Sequence, residues 1–221
     1  MAGRTLTRDE ARWTGGDRAA WMRLVHAAAV AVLSERGLDP VRAWWCAIAL
    51  VTHWARETGY GRSMWGFNAG NIRATSGWTG DVVRLEGADD LNGPAPYRAY
   101  ASMEAGVRDA LRLAVDGSRY APAWAYLLGS FGRLWPHAYG SRVTEVPCDA
   151  AGWYERLMRA GWHPYSDASL NDYRGVIPLV IAAVGSPPVA APLAVGLGLT
   201  ALLWGVVEMA RRLWPAARGG G

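Results

Sequence analysis

The sequence around Glu57 disfavours ionisation of its carboxyl group. The run from His53 to Glu57 ends a long apolar stretch, and Gly59 predicts that the helix stops directly after Glu57. A helix C-terminus carries partial negative charge, and aromatic residues lie on both sides of this glutamate, so its ionised form is disfavoured. A carboxyl group that stays protonated near neutral pH can act as a general acid.

Clear start and stop signals bound the elements that must position Glu57. Asp39-Pro40 predicts the start of the helix that carries it, and Asp17 predicts the start of an earlier helix that runs to about Arg36. The chain from Gly59 to Tyr100 is rich in turn residues, with strand-like stretches only at 77–85 and 97–100. Helical patterns return at about 102–116, 121–134 and 149–160. The expected fold class is α+β, predominantly α, with a small β-lobe.

Further segments follow Glu57 in a recognisable order. Glu-Thr-Gly-x-Gly begins at Glu57, Asn-x-x-x-Ile-Arg begins at Asn68, and Trp-Thr-Gly begins at Trp78. Tyr-Arg-Ala-Tyr-Ala-Ser follows at 97–102 and Ser-Arg-Tyr-Ala at 118–121. Together these segments, within about residues 41–128, resemble the glucosaminidase family of the lysozyme-like superfamily. Its bacterial and phage members are peptidoglycan hydrolases of the flagellar and autolysin type. The chain departs from the family at 70–73, where it has Gly-Asn-Ile-Arg and many members have Phe-Gly-Ile-Lys.

The resemblance implies a lysozyme-like domain that cleaves the glycan strand of the bacterial cell wall. Glycoside hydrolysis needs a proton donor and, on the other side of the sugar, a carboxylate or an activated water. Glu57 matches the donor, and Glu86 best matches the second carboxylate. Other acids of the predicted β-lobe compete for that second role, and assistance by the substrate's N-acetyl group is an alternative. Tyr120 matches a family tyrosine near the reacting sugar, although it could equally pack on the core at a helix start.

Four residues are candidates for binding the sugar chain. Asn68 and Asn71 could hydrogen-bond acetamido groups, but asparagine is also an ordinary turn residue. Sugars present apolar C–H faces to flat aromatic rings, and Trp78 and Tyr100 could supply such rings. We expect all four to contact peptidoglycan.

Metal, cofactor and nucleic-acid sites are not predicted. His53 shares a helix face with Glu57, but the chain has no His-Glu-x-x-His motif and its other histidines occur in unrelated contexts. The net charge of +4 comes from scattered arginines, which does not indicate nucleic-acid binding. Cys46 and Cys148 form neither a disulfide framework nor a metal-ligand pattern, and we expect two ordinary thiols.

The C-terminal part of the chain changes in character. Residues 175–207 contain no charged side chain or histidine, and 189–207 is long enough to cross a bilayer's hydrocarbon core. Arg211, Arg212 and Trp214 follow as interfacial anchors would. We therefore expect a hydrolase domain at 1–175 and an apolar segment with a basic tail at 176–221 that associates with a membrane. A helix buried in an oligomer and an apolar lid are the alternatives.

Several functions fit these features. The leading hypothesis is an endo-β-N-acetylglucosaminidase, and a lytic transglycosylase or a muramidase would use the same acid on the same fold. A non-catalytic, membrane-anchored wall-binding component of a phage or injection device is the rival from another class. The polar N-terminus predicts no signal peptide. We accordingly expect the protein at the cell envelope or in a phage virion or lysis apparatus, and its oligomeric state stays open.

Overall fold

The computed structural model describes residues 3–85 and 95–188, and the elements below belong to that part of the chain. Its helices are α1 (Arg8–Ala11), α2 (Arg18–Glu35), α3 (Pro40–Glu57), α4 (Met103–Leu111), α5 (Ala121–Gly129), α6 (Ala150–Arg159) and α7 (Asp167–Val184). A π-helical turn, Arg112–Asp116, continues α4. The strands are β1 (Thr5–Leu6), β2 (Val82–Leu85), β3 (Ala95–Arg98), β4 (Trp135–Tyr139) and β5 (Arg142–Val146).

Helix α3 is the centre of the core. Asp39 accepts hydrogen bonds from the first free N–H groups of the helix, and Pro40 occupies its first turn. Apolar residues cover most of its circumference, so α3 is buried on several sides at once. Helices α2, α6 and α7 pack against it, and α2 also packs against α4. The predicted bounds of α2 and α3 are confirmed to within a residue or two.

A three-stranded sheet forms the small β-lobe. Strand β2 lies in the middle, parallel to β1 and antiparallel to β3, with Val82 opposite Arg98. The mixed α+β class, with helices in the majority, is thereby confirmed. The very short strand β1 was not predicted, because two residues of a polar N-terminus carry no alternation signal. The segment between β2 and β3, which includes Glu86, lies outside the described residues.

The helix predicted over 121–134 is shorter than expected, and a two-stranded hairpin follows it. Helix α5 ends at Gly129, and β4 and β5 then pair in antiparallel register with Trp135 opposite Val146. Gly140 adopts a φ of 58° in the two-residue turn. The sequence did contain a signal for this hairpin, namely Gly140-Ser141 followed by β-branched residues.

Helix α7 crosses the predicted domain boundary at residue 175. It continues to Val184, and Val176, Ile177 and Val180 are buried in the same core as α3. These residues continue the spacing of Leu170 and Tyr173, which places all five on one helix face. The compact unit that contains α7 extends to Pro187. Residues 176–184 are therefore part of the folded domain and not of a separate segment.

The predicted membrane segment, Val189 to Val207, lies outside the described residues. Within residues 3–85 and 95–188, no helix combines the length and the apolar character that a membrane crossing requires.

Candidate active site

Glu57 is the last residue of α3, as predicted. Its side chain is 25% exposed, so it is largely withdrawn from water but still accessible from one side. Burial raises the pKa of the Glu57 carboxyl above its usual value, and the neighbouring Arg56 guanidinium opposes that shift. A carboxyl group of this kind can hold a proton and deliver it to a bound molecule.

The loop after Glu57 leaves the helix through three consecutive residues with positive φ. Gly59, Tyr60 and Gly61 have φ values of 56°, 60° and 86°. A Cβ at Gly61 would lie 2.3 Å from Cδ1 of Trp21, so both the backbone conformation and the close packing require glycine there. Thr58 is buried, and its hydroxyl accepts a hydrogen bond from the Gly61 amide. The sharp turn separates Glu57 from the chain that follows.

Asn71 contacts the backbone of Glu57. Its Nδ2 donates a hydrogen bond of 2.5 Å to the backbone carbonyl of Glu57, and its own φ is 47°. The amide of Asn71 thus satisfies one of the carbonyl groups left free at the end of α3. The structure places this predicted sugar-binding residue at the acid but shows its amide nitrogen engaged with the helix end.

The burial of Asn68 conflicts with the prediction that this residue binds substrate. The residue is 1% exposed, and its Nδ2 donates to the carbonyl oxygens of Ile72 and Arg98 while its Oδ1 accepts from the Ile72 amide. Both ends of the side-chain amide are used inside the protein. Asn68 therefore joins the loop after α3 to β3, and a sugar cannot reach it.

An aromatic cluster connects Glu57 to Tyr120. The ring of Tyr120 lies 5.0 Å from that of Trp162, and Trp162 lies 5.2 Å from the imidazole of His53. His53 Nδ1 is in turn 4.0 Å from Glu57 Oε1. The structure thus brings the predicted acid and the predicted tyrosine into one cluster. Trp162 was missed by the sequence analysis, because it lies in a turn-rich stretch far along the chain.

A polar network on α6 and the following loop was also missed. Arg56 donates to the hydroxyl of Tyr154, and that hydroxyl is bonded to Nε2 of His163. Nδ1 of His163 lies 3.0 Å from the Pro164 carbonyl, so Nδ1 carries the proton and the Tyr154 hydroxyl donates to Nε2. The expectation that His163 occurs in an unrelated context is wrong, because the fold brings it beside the helix end.

Trp78 and Tyr100 lie together in a separate groove. Their rings are 5.5 Å apart in an edge-to-face arrangement, and the Arg98 guanidinium lies over Trp78. The Tyr100 hydroxyl donates to Asp109, which also binds Arg98. Both rings line a cavity of about 640 Å³ in which arginine and carboxylate groups alternate. These two predicted residues are together, but within residues 3–85 and 95–188 the partners of their rings and polar atoms do not include Glu57.

A second cavity of about 640 Å³ lies between α3, α7 and the β4–β5 hairpin. Arg56 and Gly59 line it on the α3 side, whereas Glu57 is not among its lining residues.

The two cysteines are both buried and free, as expected. No group of three or more histidine, cysteine or acidic residues within the described part of the chain is arranged to hold a metal ion.

No family model and no curated protein matches this chain in sequence. Solved structures do match. A peptidoglycan hydrolase from Sphingomonas sp. A1 superposes with a TM-score of 0.52 at 20% identity, over 78% of this chain and 99% of that chain. The glycoside hydrolase domain of FlgJ from Salmonella typhimurium superposes with a TM-score of 0.51 at 16% identity, over 85% of this chain and 98% of that domain. The chain therefore shares the fold of these hydrolase domains.

Proposed function

We propose that this protein is a peptidoglycan hydrolase that cleaves the glycan strand of the bacterial cell wall, with Glu57 as the general acid. The observation that carries the proposal is the environment of Glu57 at the end of α3. A partly buried, partly accessible carboxyl with a raised pKa suits proton delivery to a glycosidic oxygen. The fold, shared with domains named as peptidoglycan and glycoside hydrolases, supports the substrate class.

The proposed reaction begins with the proton of Glu57. Transfer of this proton to the leaving oxygen breaks the bond to the sugar, which then has the character of an oxocarbenium ion. A carboxylate or a water on the opposite face completes the reaction, and Glu86 remains our candidate for that carboxylate. Tyr120 lies in the aromatic cluster beside the acid and is proposed to orient the reacting sugar.

Within this class we favour an endo-β-N-acetylglucosaminidase, as the sequence resemblance implies. A lytic transglycosylase and a muramidase would use the same acid, and the three activities leave different chain ends. Membrane association through residues 189–207 and a location in the cell envelope or a phage lysis apparatus stay predictions.

Mass spectrometry of purified peptidoglycan digested with the full chain tests the proposal. We expect reducing N-acetylglucosamine ends from the wild type and at least a hundred-fold less product from Glu57→Gln, which keeps the size of the side chain but has no acidic proton. Glu145→Gln on β5 is the matched control, because that glutamate is exposed and its loss should leave activity unchanged.

The other outcomes are equally informative. Anhydro-sugar ends would identify a transglycosylase, and reducing N-acetylmuramic acid ends a muramidase. Unchanged glycan with wild-type protein that still sediments with cell walls would indicate the binding-only alternative. Wild-type activity in Glu57→Gln would show that the acid is another residue.

A further inference from the structure

His53 on α3 has an unusual environment. It is fully buried, yet neither of its ring nitrogens has a hydrogen-bond partner. Within residues 3–85 and 95–188, it is the side chain that leaves two such buried polar atoms, whereas each of the others leaves one. Buried polar groups are almost always paired, because an unpaired one loses its hydrogen bonds to water without replacement. The two unpaired ring nitrogens of His53 therefore need a physical explanation.

The ring of His53 lies beside Glu57, and three aromatic rings enclose it. The two residues are four apart on α3, and His53 Nδ1 lies 4.0 Å from Glu57 Oε1. The rings of Trp153, Tyr154 and Trp162 enclose the imidazole, with centroids 6.1, 5.5 and 5.2 Å away. A separation of 4.0 Å is too long for a hydrogen bond. A rotation of the more exposed Glu57 side chain would close it.

His53 is uncharged at neutral pH. Burial lowers its pKa to about 3, and the nearby His163 and Arg56 act in the same direction. Among the described residues, Tyr154 on α6 also interacts with Glu57, and Asp172 on α7 pairs with Arg56. A neutral imidazole has one N–H donor and one acceptor nitrogen, so the pair is not an ion pair.

We propose that His53 is a positioning residue whose Nδ1–H donates to the Glu57 carboxylate once Glu57 has given up its proton. The inference rests on the proposed function, in which Glu57 alternates between an acid and a carboxylate. While Glu57 is protonated, His53 stays unpaired. After proton transfer, the carboxylate gains a charge-assisted hydrogen bond that the acid did not have. An interaction that strengthens as the proton leaves favours the transition state over the ground state.

Three substitutions of His53 separate this role from simple packing. His53→Asn places an amide near the position of Nδ1, His53→Gln places the same amide near Nε2, and His53→Leu removes the polar group. We expect kcat to fall about ten- to a hundred-fold in the glutamine and leucine variants with KM little changed, and to stay within about three-fold of wild type in the asparagine variant.

A second measurement does not depend on activity. The Glu57 carboxyl is titrated by carbon NMR on glutamate-labelled full-length protein, with its signal assigned by its loss in Glu57→Gln. Because the leucine and glutamine variants lose a donor to the ionised form, we expect the Glu57 pKa to rise by about one unit in them and to stay near wild type in His53→Asn. His26→Asn is the control, since His26 is buried on α2 with its Nε2 on the Trp44 carbonyl.

The outcomes are decisive in each direction. An asparagine variant that retains both kcat and the Glu57 pKa, beside a glutamine variant that loses both, supports the proposal even if His53→Leu does not fold. Equal losses in the asparagine and glutamine variants, or a Glu57 pKa that moves in none of them, overturns it. Wild-type activity in Glu57→Gln would refute the proposed function separately, while the NMR titration would still report whether His53 contacts the carboxylate.

Discussion

Two opposing influences set the proton affinity of Glu57. Removal of the side chain from water raises its pKa, and the adjacent Arg56 guanidinium lowers it. Arg56 is itself held in place by Tyr154 and by Asp172, whose Oδ2 lies 3.5 Å from Nη2 of Arg56. The acid is therefore tuned by residues of α6 and α7 that do not touch it directly.

The first prediction concerns the pH dependence of activity. Because the proposed mechanism requires the acid form of Glu57, kcat should fall as pH rises through its raised pKa. Replacement of Arg56 by glutamine removes a charge that lowers this pKa, so the alkaline limb should move to higher pH, by about half a unit to one unit. Arg42→Gln, in the first turn of α3, should leave the limb in place. A limb that moves down or stays fixed in Arg56→Gln would contradict the assignment of Glu57.

The second prediction concerns Asn71. Its amide caps the Glu57 carbonyl, and its φ of 47° suits asparagine or glycine better than alanine. Asn71→Ala should lower the free energy of unfolding by about 1–3 kcal/mol, because it loses a hydrogen bond and adds backbone strain.

Asn71→Gly separates these two contributions, since glycine tolerates the backbone conformation but still lacks the amide. Urea denaturation should therefore place Asn71→Gly between the wild type and Asn71→Ala. Equal stability of all three proteins would show that the contact with Glu57 contributes nothing to the fold.

At the scale of elements, α7 packs against both α6 and α3 beside the candidate site. Tyr173 stacks on Tyr154 with ring centroids 4.2 Å apart, and its hydroxyl donates to the Ala49 carbonyl on α3. Tyr154 in turn packs on His53. Helix α7, which the sequence did not predict and which crosses the predicted domain boundary at residue 175, thus links α6 to the helix that carries Glu57.

The third prediction tests whether the second half of α7 belongs to the core. Ile177 is fully buried, whereas Leu179 two residues later is 44% exposed. Ile177→Ala should cost about 2–5 kcal/mol in the free energy of unfolding, because it leaves a cavity among packed side chains. Leu179→Ala should cost less than about 1 kcal/mol. Similar small losses in both variants would mean that this part of α7 does not pack as described.

For the molecule as a whole, all four histidines have lowered pKa values. Burial is the main cause in each case, and His53, His26 and His137 are almost completely withdrawn from solvent. In the unfolded chain these groups take up protons near pH 6.5. Between that pH and their native pKa values, the unfolded state binds more protons than the native state.

The fourth prediction follows from that difference. The buried histidines should not reduce the free energy of unfolding above about pH 6.5. Below that pH, the free energy of unfolding should decline by about 1.4 kcal/mol per pH unit for each histidine that resists protonation. Urea denaturation at pH 7.5, 6.0 and 5.0 measures this slope. His137→Gln, whatever its stability at pH 7.5, should show a shallower decline. A free energy of unfolding that is constant from pH 7.5 to 5.0 would refute the buried, neutral state of the histidines.

Local signals were sufficient for the elements that lead to Glu57. Asp17, Asp39-Pro40 and Gly59 are caps and stops whose effect depends on neighbouring residues only, so the bounds of α2 and α3 followed from the sequence. The strand-like stretches 77–85 and 97–100 located β2 and β3 but not their bounds, which are Val82–Leu85 and Ala95–Arg98. The sequence was also enough to place Glu57, the proposed acid, on the last turn of α3.

What surrounds the acid depended on contacts between distant parts of the chain. Tyr154, Trp162 and His163 surround His53 only because α6 packs on α3, and no local pattern encodes that contact. The role of Asn68 could not be deduced either, because the same residue type serves turns, buried bridges and sugar binding. Local backbone preferences thus determine where a helix begins and ends, whereas burial and the pKa shifts that follow from it arise when the helices pack.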